Sequence, residues 1–236
     1  MDHQRLDVLG VLGGMGPLAT VDFLQKLIEE TPATRDQEHI PVIAYSVPQM
    51  PERPPAITGD GESPLPHMLK GVQILQRAGA TAVAIACNTA HYWHDELQRE
   101  GGLPILHIAD AACAVFAGEP ITRVGLLATT GTVAANFYQQ RLASRGIECV
   151  LSTADDQRTL VEPAIIHVKR NALAQAHPLA TRAAAKLRSA GAEIIIMGCT
   201  EIPLAMEYQT SEVTPHCVDA TRALARACVA WWKKSQ

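Results

Sequence analysis

The chain has 236 residues, of which 47% are hydrophobic and 19% charged, with a formal net charge of −4. That length and balance suit a globular protein built as one large α/β domain or two small ones, each able to bury a core. The acidic balance offers no basic field for nucleic acid or a membrane surface, and aromatics at 4% leave little for base stacking.

The first strand is expected at LDVLGVLG, residues 6–13, and the glycine-rich turn GGMGP (13–17) opens a helix running to about Glu30. VIAYSV, 42–47, reads as a second strand. The segment 48–66 is crowded with proline and glycine, which resist regular structure, so it is expected to be a lid, a binding loop or disorder. A helix over about 67–78, a strand over 81–86, and a helix after AHYW follow. PILHIAD, 104–110, is the next strand-like run. Strands that are apolar on both faces and alternate with helices imply a parallel sheet covered by helices, with ligands beyond the carboxyl ends of the strands.

Six cysteines (Cys87, Cys113, Cys149, Cys199, Cys217 and Cys228) are scattered without a Cys-x-x-Cys spacing. The N-terminus lacks a signal-peptide layout, and no stretch reaches the ~18 apolar residues of a membrane span. Free thiols in the reducing cytoplasm are therefore expected, and a structural zinc site is not. Taken alone, Cys87 at the end of the strand AVAIA would read as a small core residue. Cys113 and Cys228, in alanine-rich helical patterns, read as space-filling.

The chain repeats itself. RVGLLATTGTVAANFYQQRL (123–142) lies under VLGVLGGMGPLATVDFLQKL (8–27) at an offset of 115, pairing Gly10 with Gly125 and Gly16 with Gly131. LRSAGAEIIIMGCTE (187–201) lies under LQRAGATAVAIACNT (75–89) at an offset of 112, pairing Cys87 with Cys199. Two matches in the same order at nearly equal offsets imply two related α/β halves. Facing each other about a pseudo-twofold axis, they would give one cleft a cysteine from each side. Two thiols on opposite walls suit removal of a proton from one face of a carbon and its return to the other, which is racemisation by two bases. A free thiol has a pKa near 8.5, so the site must favour the thiolate of one partner.

The blocks GGMGPLAT, TPATRDQEH, PQMPER, ACNTAH, LLATTGT and GCTE, in that order across essentially the whole chain, resemble the pyridoxal-independent aspartate racemase branch of the aspartate/glutamate racemase superfamily. The resemblance implies two similar parallel-sheet α/β domains with the active site in the cleft between them. We expect residues 1–108 with 221–236 to form the first, carrying Cys87, and 109–220 the second, carrying Cys199. It also implies Cys87 and Cys199 as the catalytic pair, no cofactor, no metal and a homodimer. Asn88, Thr89 and Thr200 would hold the α-carboxylate. Met15 would line the pocket, and Thr130 and Thr132 occupy the equivalent turn of the second half. Arg53 and Lys169 match the basic residues that receive the distal carboxylate, with Gln49 on the same loop as Arg53. Glu201 stands where glutamate racemases usually carry histidine, and Glu52 where an aspartate is common.

Plainer readings stand beside these. An arginine on a proline-rich loop is usually solvated, and the same holds for Lys169. GGMGP lacks the Gly-x-Gly-x-x-Gly spacing of a dinucleotide site and fits a turn approaching a small carboxylate at a helix N-terminus. His91 and His94 would cap or pack the following helix, and WWKK (231–234) would end an amphipathic terminal helix. The expected substrate is aspartate. Glutamate or a broader range of amino acids is the alternative. From other classes come a maleate cis–trans isomerase, using one cysteine as a covalent nucleophile, and an inactive dicarboxylate-binding protein.

Overall fold

The computed structural model describes residues 7–234. Residue 6 of the expected first strand, and residues 1–6 and 235–236 of the expected first domain, lie outside them. The first half runs β1 (Leu9–Gly13), α1 (Pro17–Glu30), β2 (Val42–Ser46), α2 (Arg53–Thr58), α3 (Leu65–Arg77), β3 (Ala82–Ile85), α4 (His94–Glu100), β4 (Ile105–Leu106) and α5 (Ile108–Ala114). The second runs β5 (Arg123–Leu127), α6 (Thr130–Ala135), α7 (Phe137–Ala143), β6 (Glu148–Leu151), α8 (Ala154–Asp156), α9 (Glu162–Lys169), α10 (Leu173–Ser189), β7 (Ile194–Met197), α11 (Glu201–Glu207), β8 (Cys217–Asp219) and α12 (Ala220–Lys233).

The strands form two four-stranded parallel sheets with the same order, β2-β1-β3-β4 and β6-β5-β7-β8. The α/β architecture is thus the expected one, and the repeat is visible in its packing. A Cβ on Gly10 would lie 3.0 Å from Ala80 Cβ and 3.2 Å from Leu75; one on Gly125 would lie 3.1 Å from Ala192 Cβ and 3.2 Å from Leu187. The same glycine admits the same alanine and leucine in both halves, so α3 and α10 sit equally close to their sheets. Both helices end alike. Gly79 (φ 106°) and Gly191 (φ 93°) take the left-handed conformation just past the last turn, and the next amide bonds back to Leu75 and Leu187 respectively.

Burial divides the apolar residues into three groups. One packs around α3 and the outer face of the first sheet, including Leu12, Val72 and Ile85. A second lies under α9 and α10, including Leu127, Ile165 and Ile195. The third joins the halves, with Val11, Phe23 and Ile108 from one and Leu126, Tyr138 and Ile196 from the other, closed by Leu224 and Val229 of α12. Each fully buried side chain of this size contributes about 1.5–3 kcal/mol. Asp219 caps α12, accepting from the Thr221 and Arg222 amides at 2.8 and 3.1 Å. Lys26 on α1 is 1% exposed. Its ammonium ties α1 to the start of α12, 2.8 Å from Asp22 and 2.7 Å from Asp219.

Three expectations need correction. The segment 48–66 is not free of regular structure: α2 begins at Arg53, followed by Pro54 and Pro55, since proline is tolerated in a first helical turn where its missing amide is not needed. α3 likewise starts at Leu65. In 104–110 only Ile105–Leu106 is strand, because the His107 ring accepts from the Ala109 amide and starts α5. Where α1 is continuous, its counterpart breaks into α6 and α7 at Asn136 (φ 62°).

Candidate active site

β3 and β7 occupy equivalent interior places in the two sheets, and each delivers a cysteine just past its carboxyl end. Cys87 and Cys199 are 5% and 4% exposed. Both line one small cavity of about 20 Å³, enough for one water molecule. Its walls come from both halves: Asn88 and Thr89 beside Cys87, and Thr200 and Glu201 beside Cys199. Met15, Pro54 and Thr129 complete the lining, with Arg53 and Lys169. A wider cavity of about 230 Å³ lies against the GGMGP turn and shares Arg53, Lys169 and Glu201 with the inner one. These three residues therefore stand between an outer vestibule and the thiols.

The turn is held by local chemistry. Gly14 (φ 90°) leaves no room for a side chain, since a Cβ would lie 2.3 Å from the Val47 amide nitrogen. Its own amide donates to Thr20 Oγ1 at 2.8 Å, and that hydroxyl donates to Gly16 O at 2.8 Å. Met15 is thereby fixed at the edge of the inner cavity.

The cysteine on the second wall has a carboxylate partner. Cys199 Sγ donates to Glu201 Oε2 at 3.0 Å, and Thr200 Oγ1 donates to the same oxygen at 3.1 Å. Burial holds the Cys199 thiol well above the ordinary range, and the charge and hydrogen bond of Glu201 push the same way. Cys199 is therefore protonated in this arrangement. On the first wall, His91 bonds the Cys87 carbonyl through Nδ1 at 2.8 Å. Burial pushes the His91 pKa down to about 4, so the ring is neutral and braces the backbone behind the thiol.

Three threonine hydroxyls close the cleft at one side. Thr89 Oγ1 lies 3.0 Å from Thr129 Oγ1 and 2.9 Å from Thr132 Oγ1, and the latter two are 3.0 Å apart. Of the eight buried side-chain polar atoms without a hydrogen-bond partner among the described residues, three belong to residues lining this one cavity: Asn88 Nδ2, Arg53 Nε and Glu201 Oε1. Buried polar groups are rarely left so, and their gathering at one cavity marks a place for a polar ligand. Arg53 is 9% exposed, with Nη1 donating to the Pro51 and Met50 carbonyls at 2.8 and 3.2 Å. It is not a solvated loop arginine. Lys169 is exposed at the cavity mouth.

The structure thus brings together Met15, Arg53, Cys87, Asn88, Thr89, Lys169, Cys199, Thr200 and Glu201 at one cavity. Thr132 reaches it only through the hydroxyl triangle. Thr130 turns away, its amide and hydroxyl both donating to Glu162 at 2.7 Å. Gln49 is exposed and lines neither cavity, while its neighbour Met50 turns inward. The sequence reading missed Thr129, whose signal is its place as N-cap of α6, accepting from the Thr132 amide. It also missed Tyr138, which bonds Asn88. Among the described residues no cluster of histidine, cysteine or acidic side chains could hold a metal, and no helix is long and apolar enough to cross a membrane.

Comparison with known proteins places this geometry in a lineage. Residues 12–228 match the family model described as Asp/Glu/Hydantoin racemase. The chain is similar to the Picrophilus torridus aspartate racemase, with a TM-score of 0.85 and 30% identity over 96% of this chain and 94% of that one. It is also similar to an aspartate racemase homologue from Pyrococcus horikoshii, with a TM-score of 0.75 and 25% identity over 96% and 99% of the two chains. The broad specificity amino-acid racemase RacX of Bacillus subtilis is 26% identical over 228 residues, covering 94% of this chain and 96% of its own. The chain belongs to the Asp/Glu/hydantoin racemase family and is an isomerase of the racemase class.

Proposed function

We propose that the enzyme interconverts L- and D-aspartate without a cofactor, with Cys87 and Cys199 as the two bases. The observation that carries this reading is the meeting of the two repeat-related thiols in one cavity. One thiolate takes the Cα proton; the electron pair left behind delocalises into the α-carboxylate, and the opposite thiol returns a proton to the other face. In the arrangement seen, Cys199 is the donor and Cys87 the base. For the reverse direction the roles exchange: one forward turnover leaves Cys87 as the thiol and Cys199 as the thiolate, and Glu201 Oε2, 3.0 Å from Cys199 Sγ, accepts the hydrogen bond of the Cys199 thiol form. Asn88, Thr89 and Thr200 bind the α-carboxylate in this reading, and Arg53 and Lys169 supply positive charge for the distal one. Glutamate or a broader range of amino acids is the second reading, favoured by the similarity to RacX over 94% of the chain.

A homodimer belongs to the same proposal. Ile28 of α1, 60% exposed, lines an apolar groove with Leu24, Ile40 and Val42 at the edge strand β2, a face that a second copy would cover. The test of function is proton NMR of L-aspartate, and separately L-glutamate, in deuterated water with no added cofactor. The aspartate Cα proton signal should vanish as D-aspartate appears on a chiral column, and Cys87→Ala or Cys199→Ala should slow this by about 10²–10⁴-fold. Exchange of glutamate alone would transfer the assignment to the second reading. A Cys199→Ala enzyme with full racemisation would refute the two-base mechanism.

A further inference from the structure

We infer that Tyr138 is a positioning residue for the reaction, its hydroxyl fixing the Asn88 amide so that only N–H groups are offered to the substrate. Tyr138 lies on α7 in the second half and is fully buried. Its hydroxyl donates to Asn88 Oδ1 at 2.6 Å, across the cleft to the first half. Asn88 is 2% exposed, lines the cavity with both thiols, and its Nδ2 has no partner.

The chemistry of a carboxamide makes this bond decisive. Its two ends differ only in hydrogen bonding, one accepting and one donating twice, and a half-turn exchanges them. Left alone, Asn88 could present either end to the cavity. Tyr138 removes that freedom. Its ring packs beside Phe137, centroids 5.1 Å apart, in the core shared by the two halves. A phenol there needs an acceptor for its proton, and burial keeps that proton in place. Oδ1 supplies the acceptor and is thereby used up. The two Nδ2 protons remain for a ligand that only accepts, as an ionised carboxylate does. As the Cα–H bond breaks, negative charge grows on that carboxylate, and donors already aimed at it need no reorganisation. The inference rests on the proposed function for the identity of the ligand, and it adds Tyr138 as the group that selects an anion at Asn88.

The test compares wild type, Tyr138→Phe, Asn88→Ala and the double variant. Three quantities are read: kcat and KM for L-aspartate, the Kd of succinate by calorimetry, and the melting temperature. Tyr138→Phe keeps the ring and removes only the hydroxyl. It should raise KM and the succinate Kd on the order of tenfold, with a smaller change in kcat. Added to Asn88→Ala, it should change neither, because the two residues act as one unit. A lower melting temperature with unchanged KM and Kd would overturn the inference, as would an equal loss in both backgrounds. Wild type that binds succinate but exchanges no Cα proton would refute the functional reading, and the succinate arm would then decide on Tyr138. Binding of neither compound would overturn both.

Discussion

Glu201 in the site and His107, whose ring lies 4.8 Å from that of His91, show how single side chains and their surroundings set protonation. Glu201 raises the Cys199 thiol by its charge and its hydrogen bond, after burial. Glu201→Gln removes the charge, so the Cys199 thiolate should become more accessible. In a Cys87→Ser background its alkylation by iodoacetamide at pH 8 should speed up severalfold; an unchanged rate would mean that burial alone holds the proton. His107 accepts from the Ala109 amide through Nδ1 at 3.1 Å, which a protonated ring cannot do. Burial pushes its pKa far below the ordinary value, with the neighbouring His91 adding to the effect, and His91 itself is pushed down to about 4. Both folded values lie below an unfolded value near 6.5, so their stabilisation is full above that pH and is lost as the pH falls. Asp22 acts in the opposite sense. Burial raises it to about 6, so it regains stability as the pH falls from 6 toward 4. Two histidines against one carboxylate leave a net loss on the order of 1 kcal/mol per pH unit between pH 6 and 5. His107→Asn keeps an N-cap acceptor that does not titrate, and urea denaturation should show that slope flattened.

At the scale of elements, α2 is the piece that reaches across the cleft. A Cβ on Gly131, at the start of α6, would lie 2.7 Å from Pro54 Cα and 3.2 Å from Thr89 Cγ2. Gly131→Ala must therefore displace α2, and with it Arg53. It should cost about 1–3 kcal/mol in stability and raise KM for the acidic substrate, both read on the same preparation. The interior strands β1, β3, β5 and β7, the helices α1 and α3, the end of α10 and the paired cysteines were legible in the sequence because each leaves a local signature: apolar runs, Ala-Gly-Ala helix ends, and a thiol repeated at one offset; β6, short and half-exposed, was not read. α2 was not, because consecutive prolines read as a loop until the first turn of a helix is there to use them. Thr129 was overlooked in favour of Thr130 because the two stand side by side in one turn, and only the direction of the helix start decides which hydroxyl faces the cleft. Tyr138 carries no signal at all, since an aromatic on a buried helix face reads as core and its hydroxyl finds Asn88 only when the halves meet.

At the scale of the whole molecule, the halves are joined through apolar packing, the threonine triangle and the buried Lys26. That ammonium lies 2.8 and 2.7 Å from the carboxylates of Asp22 and Asp219, and 3.5 Å from Glu207. Lys26→Met would leave two carboxylates buried without their counter-ion, and urea denaturation at pH 7 should show a loss of about 3–5 kcal/mol. The two walls of the active site are related but unequal, since Cys87 is followed by Asn88 and Thr89 and Cys199 by Thr200 and Glu201. Mirror-image forms of one amino acid have the same free energy in water, so their equilibrium constant is unity whatever the enzyme. The ratio kcat/KM must then be equal in the two directions. The extra carboxylate on one wall can make one enantiomer bind more tightly only by making it turn over more slowly in the same proportion. The unequal walls can set how full the enzyme is with each enantiomer, but never which way the reaction runs.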